Sequence, residues 1–143
     1  MGDLAENMDS VKIFKNFESN VPSWESLLYN LNYSFIYKNE IKHNYLGFIV
    51  SHDANLISEV ADVLKRLNLN TAHLYINLVI ESNTFGRHCD KDDVYFWQVQ
   101  GSTKWIFDKH NFTLNKGDLI QVPKGTYHEV KPLSPRAGIS MSL

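Results

Sequence analysis

Cysteine and long apolar runs are nearly absent from this sequence. Cys89 is the single cysteine among 143 residues, so no disulfide can form within the chain, which favours a reducing cytoplasm over a secreted scaffold. Residues 1–14 carry acids where a secretory signal needs basic residues, and no apolar run is long enough to cross a bilayer. We therefore expect a cytoplasmic protein without a membrane partner.

The chain also lacks a strong charge of either sign. It has 14 Lys and Arg against 16 Asp and Glu, a net charge of −2, and no basic stripe, so nucleic acid is not favoured as a partner. With 43% hydrophobic residues, a chain of this length fits one core. We predict a single domain over residues 1–143, with an N-terminal α/β portion at 1–70 and a β-barrel core at 71–143.

Two segments of the N-terminal portion have apolar residues at helical spacing. Residues 53–68 predict the clearer helix, with Asp53 as a suitable N-cap, and residues 21–32 predict a shorter one. The buried stripe of the clearer helix consists of Leu56, Val60, Val63, Leu64 and Leu67. The segments 33–38 and 44–50 are typical of strands.

From Thr71 onward the sequence changes to short β-like segments separated by Gly, Pro, Asn and Asp. The first two are "HLYINLVIES" at 73–82 and "TFGRHC" at 84–89, and six more follow. Regular short strands with turn residues between them predict an antiparallel sandwich or barrel. The expected fold class is mainly β, with the small α/β portion packed on the barrel.

Two good metal ligands stand two residues apart in this region. Side chains alternate faces along a strand, so His88 and Asp90 lie on one face. The stretch "GDLIQVPKGTYHEV" then predicts a tight turn that returns His128 to the start of a neighbouring strand. Two histidines and one carboxylate are the ligand set of non-haem Fe(II) oxygenases, which leave coordination positions open. We predict that these three residues bind one metal ion.

The two motifs resemble those of the cupin superfamily. The pattern G-x5-P-x-G-x2-H, formed by Gly117, Pro123, Gly125 and His128, resembles the second cupin motif. The first motif resembles its form in JmjC-type and ribosomal-oxygenase-type members, and the positions that match it besides the ligands are Asp93, Gln98, Gly101 and Trp105. The resemblance covers residues 72–143. It implies a double-stranded β-helix, Fe(II) as the metal (replaceable by Ni, Zn, Mn or Co in a crystal), 2-oxoglutarate as co-substrate, and Gln98 and Trp105 as pocket-lining residues.

The chain departs from the resembled enzymes at the co-substrate anchor. A Lys or Arg that pairs with the far carboxylate of 2-oxoglutarate is expected where this chain has Thr103. A buried carboxylate needs a partner. We favour Arg136 for this role because its planar fork grips both oxygens, with Thr103 as a supporting donor. Lys104 is the alternative, and it requires a β-bulge to turn inward. Tyr75 and Asn77 are further candidate donors.

The remaining histidines have weaker claims to the site. His73 shares strand face parity with Tyr75 and Asn77, so residues of this set line the pocket or simply pack in the sheet. His43, His52 and His110 lie outside the motifs.

Three functions stay open at this point. The favoured one is a small Fe(II)/2-oxoglutarate-dependent oxygenase (a dioxygenase) that hydroxylates a protein side chain or a small molecule. The second is a metal-binding cupin with a 2-oxoglutarate-independent activity, which Thr103 favours. The third is a non-catalytic cupin that serves as a binding module, and a homodimer is an open alternative.

Overall fold

The computed structural model describes residues 10–34, 41–45, 47–82 and 84–143, with the backbone alone for 41–45. The α-helices that lie entirely among these residues are α1 (Trp24–Tyr33) and α2 (Ser58–Leu67), the second preceded by a short 3-10 turn at Ala54–Leu56. Its strands, in chain order, are β1 (Lys12–Phe14), β2 (Ile41–Tyr45), β3 (Phe48–Ser51), β4 (Thr71–Asn77), β5 (Val94–Gln100), β6 (Thr103–Ile106), β7 (Asn111–Leu114), β8 (Leu119–Val122), β9 (Glu129–Pro132) and β10 (Arg136–Ser142).

The strands form two antiparallel sheets. One has seven strands in the order β1-β8-β5-β10-β4-β3-β2, and the other has three in the order β7-β6-β9. Strands β4 to β10 lie within residues 71–143, and all of their pairings are antiparallel. The predicted mainly β, double-stranded β-helix architecture is confirmed. Strands β1 and β3 pair with β8 and β4, so one sheet contains segments from both sides of residue 70.

Strands β4, β5 and β8 of the seven-stranded sheet contribute alternating side chains to two apolar clusters on opposite faces of the sheet. Along β4, Leu74 and Ile76 pack with α1, α2 and β10 in one apolar cluster. Tyr75, between them, points to the second cluster, which fills the space between the two sheets around Phe96 and Trp105. The helices therefore cover the outside of the barrel, and the polar residues of β4 face its interior.

The helix predicted over 53–68 begins later than expected, at Ser58, and Asp53 is not its N-cap. Ile57 occupies the N-cap position of α2, and Asp53 makes no side-chain cap hydrogen bond. The Asp53 carboxylate instead accepts from the Ser34 hydroxyl at 3.2 Å and is buried. The predicted end is correct, because Asn68 adopts the left-handed conformation with φ of 58°. No helix among the described residues is long and apolar enough to cross a membrane.

Four predicted strands also differ from the structure or lie partly outside the described residues. The segment 73–82 is strand only as far as Asn77, after which the chain turns. The segment 84–89 forms a single bridge at His88 instead of a strand. Residues 33–38 begin with the last residue of α1, and 35–38 lie outside the described residues. Segment 44–50 is a hairpin of β2 and β3 rather than one strand.

Candidate metal centre

His88 and His128 face each other across an isolated antiparallel bridge. The backbone N–H of each residue donates to the carbonyl oxygen of the other, at 2.9 and 2.8 Å. Residues that exchange both backbone hydrogen bonds stand directly opposite and direct their side chains to the same face. The two imidazole centroids are 4.5 Å apart. Backbone pairing thus brings together two histidines that are far apart in the sequence.

Asp90 completes a cluster of three ligand atoms. Its Oδ1 lies 3.8 Å from Nε2 of His88, and its Oδ2 lies 3.6 Å from Nε2 of His128. The three donor atoms lie within 4.8 Å of one another. Both distances from the Asp90 carboxylate to a histidine are too long for a hydrogen bond. Atoms bound at about 2.0–2.2 Å from one ion lie about 3–4 Å apart, so the cluster fits a single ion after small side-chain movements.

The turn of the second motif positions Asp90 as well as His128. The N–H of Gly125 donates to the Asp90 carbonyl oxygen at 2.9 Å. The N–H of Lys124 donates to Oδ1 of Asp93, also at 2.9 Å. Gly125 has a φ of 78°, which favours glycine. The segments around 88–93 and 123–128 are therefore hydrogen bonded to each other, and the Asp93 carboxylate accepts one of these bonds at the surface.

Backbone carbonyls set the tautomer of both rings. Nδ1 of His88 lies 2.8 Å from the Gly86 carbonyl oxygen, and Nδ1 of His128 lies 2.9 Å from that of Thr126. A carbonyl only accepts, so each Nδ1 carries the proton and each Nε2 keeps its lone pair towards Asp90. Burial lowers the pKa of His128, although the bond to Thr126 opposes this. The neutral ring, which is the metal-binding form, is therefore favoured.

A buried hydrogen-bonded chain supports His128 from behind. The Trp105 indole stacks on the His128 ring with centroids 5.4 Å apart and planes at 19°. Nε1 of Trp105 donates to the Thr103 hydroxyl at 3.1 Å, and this hydroxyl donates to Oε1 of Gln98 at 2.8 Å. Trp105 lines the cavity as predicted, but Thr103 and Gln98 lie behind it and outside the lining. Their predicted placement is corrected, because each is engaged in this chain.

A buried cation lies in the cavity with the three ligands. Arg136 is 1% exposed, and its Nε donates to Oδ1 of Asn77 at 2.7 Å. Its guanidinium lies 5.7 Å from the centroid of Phe96. Nη1 is buried without a hydrogen-bond partner, and within the described residues no carboxylate forms an ion pair with Arg136. Burial lowers the pKa of Arg136 to about 10, so it is charged at neutral pH.

Two hydroxyl groups accompany this arginine in the cavity lining. Tyr75 and Ser140 both line the cavity. Burial raises the pKa of Tyr75, so its phenol stays protonated. Asn77 does not line the cavity; its amide nitrogen donates to the Ser82 hydroxyl at 2.7 Å while its oxygen holds Arg136. Ser140 was missed from the sequence, although it shares strand parity with Arg136.

Lys104, the alternative to Arg136 as the anchor, lies outside the lining of the cavity. Strand β6 pairs regularly with β7 and β9, without a bulge. Thr103 and Trp105 point inward, so Lys104 points to the outer face of the sheet. It lines a different groove, outside the cavity.

The remaining histidines lie apart from the cluster. Nδ1 of His73 lies 2.7 Å from Nδ1 of His52, and neither residue lines the cavity. His110 is exposed, and the side chain of His43 lies outside the described residues. Phe85, which packs on His88 with centroids 5.8 Å apart, was missed because it lies in an irregular segment without periodicity.

No family model and no curated protein matches the sequence. Solved structures are nevertheless similar over most of the chain. YcfD, a ribosomal oxygenase from Escherichia coli, has a TM-score of 0.73 at 16% identity, over 92% of this chain and 46% of that chain. The same protein in complex with cobalt and 2-oxoglutarate has a TM-score of 0.72 at 13% identity, over 97% and 50%. A cupin superfamily protein from Desulfitobacterium hafniense has a TM-score of 0.56 at 16% identity, over 90% and 95%.

These similarities establish the fold. The chain has the cupin fold, as its two motifs predicted. It spans about half the length of the ribosomal oxygenase that it matches.

Proposed function

We propose that His88, Asp90 and His128 hold one Fe(II) ion, and that the cavity beside them binds 2-oxoglutarate for oxygenase chemistry. The single observation that carries the proposal is Arg136, a fully buried cation with an unpartnered Nη1 in the same cavity as the ligand triad. A buried charge without a counter-ion is expensive, so the site calls for an anion. A 2-oxo diacid offers a metal-binding end and a second carboxylate for the guanidinium.

The chain's own residues divide the work between two ends of the cavity. The two Nε2 lone pairs and the Asp90 carboxylate hold the metal on one side and leave its other positions open. Arg136 neutralises the far carboxylate, and the hydroxyls of Tyr75 and Ser140 donate hydrogen bonds to it. Apolar walls formed by Phe96 and Trp105 exclude water. Bound Fe(II) supplies the oxidation of a substrate C–H bond by O₂, coupled to the conversion of 2-oxoglutarate to succinate and CO₂.

The complexes of YcfD with cobalt and 2-oxoglutarate, and with cobalt and succinic acid, support this assignment by similarity of fold. The substrate class remains a protein side chain or a small molecule, and the cytoplasmic location, the single domain and a homodimer remain predictions. The metal ligands and the anchor roles also remain predictions until binding is measured.

One observation favours the second function. The cavity measures about 40 Å³, which is room for about three waters. A bound 2-oxoglutarate therefore requires lining side chains to move, and Phe85, which is 38% exposed in an irregular segment, is the least confined of them. A metal cupin that acts on a smaller ligand without 2-oxoglutarate needs no such movement.

Anaerobic Fe(II) titration with and without 2-oxoglutarate separates these functions. The proposed function gives one equivalent of Fe(II) and a weak visible charge-transfer band that appears only with 2-oxoglutarate. Metal binding without the band supports the 2-oxoglutarate-independent cupin instead. Absence of stoichiometric metal binding overturns both and leaves the non-catalytic module. His110→Ala serves as the control for histidine loss outside the cluster.

A further inference from the structure

A second groove adjoins the metal cavity on the outside of the three-stranded sheet. It runs between strand β9 and the segments 80–82 and 84–86, and it shares Thr84, Gly86 and Val130 with the lining of the cavity. It contains none of the metal ligands and not Arg136. What binds here therefore does not depend on the proposed function.

Strand β9 presents an open edge to this groove. Among the described residues it pairs with β6 alone, and on its other side the adjacent residue His128 forms the isolated bridge to His88. The N–H of Leu133 donates to the Ser102 carbonyl beside β6, so odd-numbered residues face β6. Backbone groups of successive residues point to opposite sides, and those of Val130 therefore point to the open edge. Such an edge accepts an added strand.

Two lysines stand side by side on the outer face of this sheet. Lys104 and Lys131 are directly opposite in the register of β6 and β9, and both line the groove. Like charges at opposite positions destabilise a sheet. Neither lysine forms an ion pair in the part of the chain that the structure describes. Glu129, which also lines the groove, leaves one uncompensated positive charge.

Exposed apolar side chains flank the lysines. Ile80 is 53% exposed and Leu133 is 45% exposed, and both line the groove. An open strand edge, two unpaired lysines and apolar walls fit a polypeptide in extended conformation with an acidic side chain. A second copy of this chain fits poorly, because joining two β9 edges brings two lysine pairs together.

We propose that this groove binds an extended acidic segment of another polypeptide. The segment adds along the open edge of β9, exchanges hydrogen bonds with Val130, and directs an Asp or Glu side chain to Lys104 and Lys131. Its apolar side chains contact Ile80 and Leu133.

A phage-displayed library of random twelve-residue peptides, screened against the full chain in EDTA, tests the proposal. The wild type is expected to enrich peptides in which an Asp or Glu recurs at one position among β-branched residues. A synthetic peptide from that set should bind at least tenfold more weakly to the Lys104→Glu, Lys131→Glu double variant. The double variant Lys109→Glu, Lys116→Glu has the same change in net charge at exposed positions outside the groove, and it should bind within twofold of the wild type.

A further arm tests the added strand. Methylation of the peptide amide that faces Val130 should weaken binding, whereas methylation of the next amide along the peptide, which points away from Val130, should leave binding unchanged. Failure to enrich peptides, enrichment without acidic residues, or equal loss in both lysine double variants overturns the proposal. Dimerisation of the peptide-free chain that Lys131→Glu alters would assign the groove to a second copy instead. Every one of these binding experiments is run without metal. Failure of the peptide-binding proposal can therefore be distinguished from failure of the proposed function.

Discussion

The two ends of the cavity differ in how fully their buried polar groups are hydrogen bonded. At the metal end, His88 and His128 have both backbone groups and both Nδ1 atoms hydrogen bonded, so only the metal-facing atoms are left over. At the arginine end, Arg136 keeps one buried donor unsatisfied. The hydrogen bonding of the two histidines is thus complete in the folded form, whereas the arginine end keeps a buried charge without a counter-ion among the described residues, which costs stability. Binding of the proposed anion would offset this cost.

The largest expected effect lies at the metal end. Replacing His88 or His128 by Ala removes one of three ligands, and we expect the affinity for Mn(II) or Fe(II) to fall by at least about 100-fold. Calorimetric titration of the metal under anaerobic conditions measures it. His110→Ala is the matched control, and far-UV circular dichroism checks the fold. Unchanged metal affinity in both cluster variants would remove the site assignment.

Gly138 sets the shape of the arginine end. A Cβ atom at this position would overlap Cζ of Phe96, whose ring faces the Arg136 guanidinium. Gly138→Ala should therefore lower the free energy of unfolding by about 1–3 kcal/mol, because a buried ring has to move. Urea denaturation measures the loss. Adding Phe96→Leu should recover part of it, and a destabilisation that is the same with either residue at 96 contradicts a clash with this ring.

The uncompensated arginine should lower the stability of the metal-free protein. Replacing Arg136 by Met together with Asn77 by Leu removes the charge and its hydrogen-bond partner, and should raise the free energy of unfolding at pH 7 by about 1–3 kcal/mol. The folded pKa of about 10 lies below the ordinary pKa of arginine, so the unfolded state binds more protons at pH values between the two. The wild type should therefore gain stability relative to the variant as the pH rises above 10.

Urea denaturation of both proteins at pH 7 and pH 11 measures this gap. Comparing the two proteins cancels the titration of the lysines and tyrosines that they share. A variant that is less stable than the wild type at pH 7, or a gap that widens at pH 11, is inconsistent with an unpaired buried charge.

The smallest expected effect concerns the support behind His128. Thr103→Val removes the hydroxyl that joins Trp105 to Gln98, so we expect the metal affinity to fall by about tenfold or less, with a shift in tryptophan fluorescence. Thr103→Ser should restore both. Ser102→Ala, which removes a neighbouring hydroxyl bonded to Asn115 at the surface, is the control. An equal effect of the Ser102 and Thr103 variants would show that the hydrogen-bonded chain is not responsible.

The metal end is the part of the site that could be predicted from the sequence. The cupin fold and the three candidate ligands follow from short-range patterns: a spacing of two residues, and a turn whose glycines and proline stand at fixed positions. The strand expected around His88 is absent, yet the bridge to His128 gives the same side-chain direction. The local sequence pattern therefore predicted the direction of the two histidine side chains, although the strand expected around His88 does not form.

The arginine end could be predicted only in part, because its structure depends on contacts between residues that are distant in the sequence. Arg136 and Asn77 are 59 residues apart and meet because β10 pairs with β4. Arg136 was suggested by its place just before the last predicted strand and by the chemistry of its guanidinium, but the hydrogen bonds that turn Asn77 and Thr103 away from the cavity lie outside any local pattern. The later start of α2 was missed for a similar reason. The Asp53 carboxylate accepts a hydrogen bond from the distant Ser34 hydroxyl and does not cap the helix.

The most direct test of the proposed function asks whether one diacid spans both ends of the cavity. Calorimetric titration compares 2-oxoglutarate with 2-oxobutyrate, which lacks the far carboxylate, on the Mn(II)-loaded wild type, Arg136→Gln and Lys104→Gln. We predict that the wild type and Lys104→Gln prefer 2-oxoglutarate by at least about tenfold, or about 1.4 kcal/mol. Arg136→Gln should bind the two acids within about twofold of each other. Equal binding of both acids by the wild type, or a preference that survives in Arg136→Gln, would contradict the anchoring role of this arginine.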